Sequence, residues 1–189
     1  IRHELGNPIN SIKMTLSVLK RNLAEYSPDA VEKYVDRAMT EISRVEFLLQ
    51  ALKSFSIFEN PELQSIDADE FITRFISLVE NDLRQSGISI GKAIDPGVTT
   101  IIADPRLLHQ VMLNLITNAS DALKDTQQPK INIRAAQHNS LVALIVEDNG
   151  CGISREAQAS LFKPFYTTKP RGTGLGLMIA LKMVTLMQG

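Results

Sequence analysis

Asp148-Asn149-Gly150-Cys151-Gly152-Ile153 follows directly on the apolar run Leu141-Val142-Ala143-Leu144-Ile145-Val146-Glu147, and about twenty residues later the chain reads Gly172-Thr173-Gly174-Leu175-Gly176-Leu177. The run has the length and composition of a buried strand. Asp148 therefore stands at a strand end, on a turn whose two glycines let the backbone approach another group closely. The second cluster opens an apolar helix, Met178 to Met187. Glycines at a helix start bare backbone N–H groups, and the helix dipole favours an anion there. A carboxylate in an apolar pocket paired with a phosphate cradle points to a nucleotide: the carboxylate takes the amino group of the base and the cradle holds the phosphates. Either cluster alone is weak, because most glycine-rich turns only turn.

Upstream, Asp104-Pro105 is a helix start, with Asp as cap and Pro at the first helical position. This helix is expected to reach about Lys124, with Leu108, Val111, Leu115 and Ala119 on its core face and Met112 and Leu123 beside it. Asn114, Asn118 and Asp121 recur at spacings of four and three, which sets them on a separate polar stripe. Buried amides are costly unless satisfied. A polar stripe on an otherwise apolar helix asks for a ligand, the bland alternative being a solvated face.

With these motifs in place the chain resembles the two-component sensor histidine kinases, whose ATP-binding domain belongs to the superfamily shared with gyrase and mismatch-repair proteins. The resemblance covers almost the whole chain. It implies a Bergerat-type ATP-binding fold in which Asp148, Gly150, Gly152 and Ile153 receive the adenine. Asn114, Asn118 and Asp121 line the site, Asn118 holding Mg2+, and Gly172, Thr173, Gly174, Leu175, Gly176 and Leu177 meet the phosphates. Mg2+ favours oxygen ligands and bridges phosphates while keeping waters. Hydrolytic members carry a glutamate at position 114 to activate water. Asn114 cannot take a proton, which disfavours wasteful hydrolysis and keeps the γ-phosphoryl for a protein acceptor. Phe162-Lys163-Pro164-Phe165-Tyr166-Thr167-Thr168-Lys169 resembles the short lid of nitrogen-sensor-like members, with Phe162 and Phe165 packing over the nucleotide and Thr168 and Lys169 meeting phosphate. Taken as residues alone, the two aromatics serve equally well as core, and Lys169 as a solvated charge.

The N-terminal third has another character. Leu5, Ile9, Ile12, Leu16, Leu19 and Leu23 form a heptad seam, and Val31, Val35, Ala38, Ile42, Val45, Leu49 and Leu52 form a second. Between them, Ser27 is a cap and Pro28 is tolerated at a helix start. So short a connection makes an antiparallel hairpin. Met14, Val18, Tyr34, Leu48 and Phe55 widen the seams, so two copies are expected to close a four-helix bundle. The alternative is a hairpin packed on its own domain.

His3 lies two positions before Leu5, about 200° around the helix from the seam, and faces solvent. Asn7 is four residues on and shares that face. Pro8 lies inside the helix and removes one backbone donor just beyond the exposed histidine. His3-Glu4-Leu5-Gly6-Asn7-Pro8 resembles the phosphoacceptor box of the histidine kinases. The resemblance implies His3 as nucleophile, Glu4 as acid and base, and Asn7 as the group that positions water to dephosphorylate a partner protein. A neutral imidazole is a good nucleophile near pH 7, and a carboxylate can orient it and accept its proton. Gly6 stands where the family often has a larger polar residue.

Composition agrees with an ordinary soluble protein: 44% hydrophobic residues, net charge −1, and one cysteine, Cys151, which excludes an internal disulfide. A global basic excess that would attract nucleic acid is absent, and no apolar run nears the roughly 20 residues of a membrane span. The chain starts in a helical pattern without an initiator methionine, as a piece of a longer protein would. The family continues past the last helix with further strands, whereas this chain stops at Gly189. His109 and His138 match no motif and are expected at the surface.

These readings give an α+β chain. Residues 1–60 form a dimeric phosphotransfer hairpin, 61–66 a hinge, and 67–189 an α/β sandwich binding ATP and Mg2+. The implied activity is histidine autophosphorylation followed by transfer to a response-regulator aspartate, in a cytoplasmic homodimer without membrane contact from this stretch. Two rivals stand beside it: a superfamily ATPase or serine kinase, and a dimeric scaffold with a degraded site.

Overall fold

The two heptad seams become two helices, α1 (Arg2–Asn22) and α2 (Pro28–Ile57). The protein is described by a computed structural model covering residues 2–57, 60–139, 141–164, 166–169 and 174–189, with the side chains of residues 2–5, 44 and 46–57 outside the description. At the hairpin turn the Ser27 hydroxyl accepts from the Ala30 amide at 3.3 Å, as a helix cap should. Tyr26 and Tyr34 stack across the turn with ring centroids 5.2 Å apart. The seams do not close entirely on each other. Ala38 is buried and Ile12, Leu19, Val31 and Val45 are half-buried, while Ile9, Leu16, Leu23, Val35 and Ile42 are exposed. Pro8 and Thr15 instead take buried places in α1. Along the described part of both seams, one apolar position of the heptad is therefore kept inside and the other presented outward.

The chain divides into two compact units, Ile1–Ile57 with Thr167–Thr173, and Phe58–Tyr166 with Gly174–Gly189. The second unit opens with strand β1 (Gln64–Asp67), which pairs antiparallel with β3 (Thr100–Ala103). The segment read as a hinge over 61–66 thus holds most of a strand, stabilised by a partner far away in sequence. Asp67 ends β1 and caps α3 (Ala68–Gln85), its carboxylate accepting from the Glu70 amide at 2.8 Å. Gly87, at φ +74°, makes the left-handed exit towards β2 (Ser89–Ile94).

β2 runs parallel to β4 (Lys130–His138), and β4 antiparallel to β5 (Leu141–Asp148). Parallel strands need a crossover, and α4 (Pro105–Ala122) supplies it. Ile131, Ile133 and Ala135 point inward from β4 to meet Ile72 and Phe75 of α3 and Leu108, Met112, Ile116 and Ala119 of α4. Leu115, expected in this core, is half-buried, and Ile116 is buried in its stead. His109, expected at the surface, is half-buried with its ring edge-on to Phe75 at 5.3 Å. The next elements are a single turn, α5 (Arg155–Gln158), and the closing helix α6 (Gly176–Leu186), which packs on α4.

Asp104, the cap of α4, is 0% exposed. Its oxygens accept from the Arg106 amide at 2.9 Å, the Arg106 guanidinium at 2.8 Å and the Glu62 amide at 2.9 Å. The Arg106 guanidinium foremost, then these backbone donors, hold its carboxyl well below the usual carboxylate range against the opposing effect of burial. Asp104→Ala is expected to cost about 3 kcal/mol, from the lost cap and the lost charge-assisted bonds. A depressed folded pKa contributes stability above the ordinary value near 4 and loses it as pH falls towards the folded one. Urea unfolding of parent and Asp104→Ala should therefore differ fully at pH 7 and converge progressively below about pH 4.

Candidate nucleotide site

β5 delivers Asp148 to the edge of the sheet, where the chain turns sharply. The Asp148 carboxylate accepts from the Gly150 amide at 2.9 Å and is exposed, not enclosed in an apolar pocket as the sequence suggested. The reason is position: Asp148 is the last residue of β5, just past Val146, the last side chain of the strand packed against the core. Asn149 pins the turn to the sheet. Its side chain accepts from the Lys130 amide at 2.8 Å and donates to the Gln128 carbonyl at 3.1 Å. On the other side the Cys151 amide donates to the Ala122 carbonyl, the last residue of α4, at 3.2 Å. A Cβ on Gly150 would stand 2.5 Å from that same carbonyl oxygen, so the close approach requires glycine. Gly152 has φ +70°, which a side chain would strain. The turn is thereby sewn to β4 and α4, and Asp148 is held at a fixed place.

At the other motif, Gly174 has φ +67°, Leu175 is buried, and Gly176 begins α6 two residues earlier than the sequence suggested. Leu175 offers no side-chain cap, so the first N–H groups of α6 keep their capacity for an anion. Leu177 is half-buried, and Gly172 and Thr173 lie outside the described residues. Asn114, half-buried on α4, donates through its amide to the Gly176 carbonyl at 3.3 Å. Asn118 and Asp121 are half-buried on the same helix, Asp121 paired with Lys124 at 2.8 Å.

α4 is therefore the common spine: Asn114 touches the start of α6 and Ala122 touches the Asp148 turn. Those two contacts are about 12 Å apart along the helix axis, with Asn118 between them. The sequence paired these motifs by analogy; the contacts that join them, Asn114 to Gly176 and Cys151 to Ala122, had no signal beyond the neighbouring glycines. Among the described residues no group of three His, Cys, Asp or Glu offers a protein-only metal cage. A single amide oxygen such as that of Asn118 fits an Mg2+ that takes its other ligands from phosphates and water.

The remaining candidates are placed as follows. Ile153 and Phe162 are exposed in the second unit, and Phe165 lies outside the described residues. Thr168 and Lys169 fall in the first unit, the Lys169 amide donating to the Thr167 hydroxyl at 3.1 Å. Asn7 is exposed on α1, next to buried Pro8. The side chains of His3 and Glu4 lie outside the description, though both residues are helical. Cys151 is exposed, as is His138.

Residues 1–61 match the His Kinase A (phospho-acceptor) domain family, and residues 103–189 match the histidine kinase-, DNA gyrase B- and HSP90-like ATPase family. The signal transduction histidine-protein kinase AtoS of Escherichia coli K12 is 31% identical over 190 positions, covering 100% of this chain and 30% of AtoS. Sporulation kinase A of Bacillus subtilis 168 is 31% identical with the same coverage. The chain thus spans less than a third of the length of either relative. Among solved structures, the catalytic domain of the histidine kinase ThkA superposes with a TM-score of 0.58 at 32% identity, covering 65% of this chain and 80% of that one. ThkA in complex with the response regulator protein TrrA superposes with a TM-score of 0.61 at 27% identity, covering 93% of this chain and 50% of that one.

A phospho-acceptor hairpin followed on one chain by this ATPase fold defines a protein histidine kinase. The chain belongs to the two-component sensor histidine kinase family. The rival readings, a hydrolytic ATPase, a serine kinase or a degraded scaffold, are not favoured, because the match to the histidine-protein kinase AtoS runs along the full chain and both family models are found in it.

Proposed function

We propose that this chain transfers the γ-phosphoryl of ATP to a ring nitrogen of His3 and then to an aspartate of a response regulator. The observation that carries the reading is that both modules lie on one chain, with His3 inside the matched phospho-acceptor family and an amide, Asn114, where a hydrolytic carboxylate would be. In the first step an N–P bond forms to His3, the bond between the β–γ bridging oxygen and the γ-phosphorus breaks, ADP leaves, and Glu4 takes the ring proton. In the second step a carboxylate oxygen of the regulator forms a P–O bond as the N–P bond breaks. Asp148 anchors the adenine amino group, and the α6 N-terminus with Gly174 and Gly176 receives phosphate. The family resemblance adds Phe162, Phe165, Thr168, Lys169, Gly172 and Thr173 as expected nucleotide contacts. Asn118 is the residue that would hold Mg2+, which when bound neutralises phosphate charge. The protein's share is positioning and charge stabilisation. Incubation with γ-labelled ATP should leave acid-labile, alkali-stable label on the chain; label stable in acid would instead support hydroxyl phosphorylation.

The hairpin supports a homodimer, because Ile9, Leu16, Leu23, Val35, Met39 and Ile42 are left exposed along it. Ile42→Glu should weaken self-association at least 100-fold, about 2.8 kcal/mol, since it sets two like charges into an apolar seam. Analytical ultracentrifugation showing an unchanged dimer would refute the bundle.

Asn7 has no proton to accept, so its loss should spare attack by His3. Asn7→Ala is expected to keep autophosphorylation within about tenfold, a barrier change near 1.4 kcal/mol, and to lose most phosphatase activity towards a separately phosphorylated regulator. Glu4→Gln should show the opposite bias, because it removes the base. Equal dephosphorylation by Asn7→Ala and parent would remove Asn7 from that role.

A further inference from the structure

Asp104 takes no part in the chemistry above, yet it is a fully enclosed charge. One of its oxygens does what a helix cap needs, accepting from the Arg106 amide at 2.9 Å and the Leu107 amide at 3.5 Å. The other accepts from Arg106 Nη2 at 2.8 Å and from the Glu62 amide at 2.9 Å, across 42 positions of sequence. That last bond is not required by α4. It ties down the stretch that leads from the hairpin into the ATP-binding unit.

The position of the tie matters. α2 ends at Ile57 and β1 begins at Gln64, so the bond fixes the chain two residues before the sheet does. Residues 58–61 are left between the helix and the tie. Without the tie, Glu62 and Leu63 join that span and lengthen it by half. Pro61, with its locked φ, stiffens the residue next to the tie. Asp104 also begins the helix that carries Asn114 and Asn118, so the connector is referenced to the same rigid element as the nucleotide site.

We propose that Asp104 is a positioning residue, tying the Glu62 amide to the first turn of α4 and thereby fixing where the chain from the hairpin enters the ATP-binding unit, on which the rate of phosphoryl transfer to His3 depends. The inference rests on the autokinase reading. A tethered reaction depends on effective concentration and orientation, and a chain that loses its fixed exit loses orientation. The adenine anchor at Asp148 and the start of α6 both lie in the second unit, so ADP affinity is expected to depend on neither.

The test uses the whole chain and three variants. Glu62→Pro removes the donor and leaves the Asp104 cap and its pair with Arg106 in place. Asp104→Asn keeps a capping oxygen and loses the charge. Glu62→Ala keeps the amide and serves as control. Expected are autophosphorylation rates at saturating ATP at least fivefold lower in the first two variants, with ADP affinity within twofold of parent, and parent-like behaviour of Glu62→Ala. Hydrogen exchange should show the Glu62 amide at least tenfold faster in Asp104→Asn while Ile116 to Ala119 keep their protection. A parent-like rate in Glu62→Pro overturns the proposal. So does a loss of ADP affinity matching the loss of rate, which would make Asp104 a support of the ATP site alone. If Asp104→Asn unfolds α4, Glu62→Pro decides. A parent chain that takes up no label refutes the autokinase reading instead, and the tie is then judged by exchange, where an unchanged Glu62 amide in Asp104→Asn overturns it.

Discussion

Gly150→Ala is expected to abolish binding of ATP and ADP alike while most of the fold survives. The added methyl would lie 2.5 Å from the Ala122 carbonyl oxygen, 2.8 Å from its carbon and 2.8 Å from an Asp148 carboxylate oxygen. Two of these three are backbone atoms at the end of α4, which cannot yield without moving the helix. The turn must open, breaking the Cys151 to Ala122 bond and the Asp148 to Gly150 bond together. Overpacking of this kind costs about 1–3 kcal/mol, and the place where it is relieved is the proposed adenine anchor. Calorimetry should show affinities weakened at least ~100-fold, or about 2.8 kcal/mol. Gly97→Ala is the matching control, since nothing lies within 4 Å of a Cβ there and its φ is not left-handed. Unchanged ADP affinity in Gly150→Ala would separate this turn from the nucleotide.

His3→Gln should bind ATP as the parent does and take up no acid-labile phosphate. Glutamine retains a polar, hydrogen-bonding side chain at that helical position, but its amide nitrogen has no free lone pair with which to attack phosphorus. The loss should therefore exceed about 10³-fold, more than 4 kcal/mol of barrier, and should leave the hairpin helical. Label that persists in His3→Gln would place the acceptor elsewhere. Together the two variants divide the reaction: one empties the nucleotide site with the acceptor intact, the other does the reverse.

Much of this was legible where a local rule and a global need coincide. Asp104-Pro105 marks a helix start by backbone chemistry alone, and the apolar run from Leu141 to Val146 marks β5. What escaped were features decided by distant partners. β1 is four polar-leaning residues, Gln64 to Asp67, and nothing in them announces a strand; β3, more than thirty residues on, makes them one. Leu115 and Ile116 fit a helical stripe equally well, and the packing of α4 against β4 chose the second. His109 was read as surface for want of a motif, yet Phe75 offered its ring an edge. At the site, the sequence supplied the glycines but not their reason, which for Gly150 is the carbonyl of Ala122. The exposure of Asp148 was likewise set by where β5 runs out of cover.

The stacked pair at the hairpin turn has an optical consequence. The chain has no tryptophan and three tyrosines, Tyr26, Tyr34 and Tyr166. Two of the three face each other within 5.2 Å, nearly parallel at 7°, their hydroxyls 3.4 Å apart. Ultraviolet emission and near-ultraviolet circular dichroism of the unlabelled protein are therefore weighted towards one end of the hairpin, with the third ring reporting on the other unit. Melting of that turn can be followed by light alone, without a probe attached.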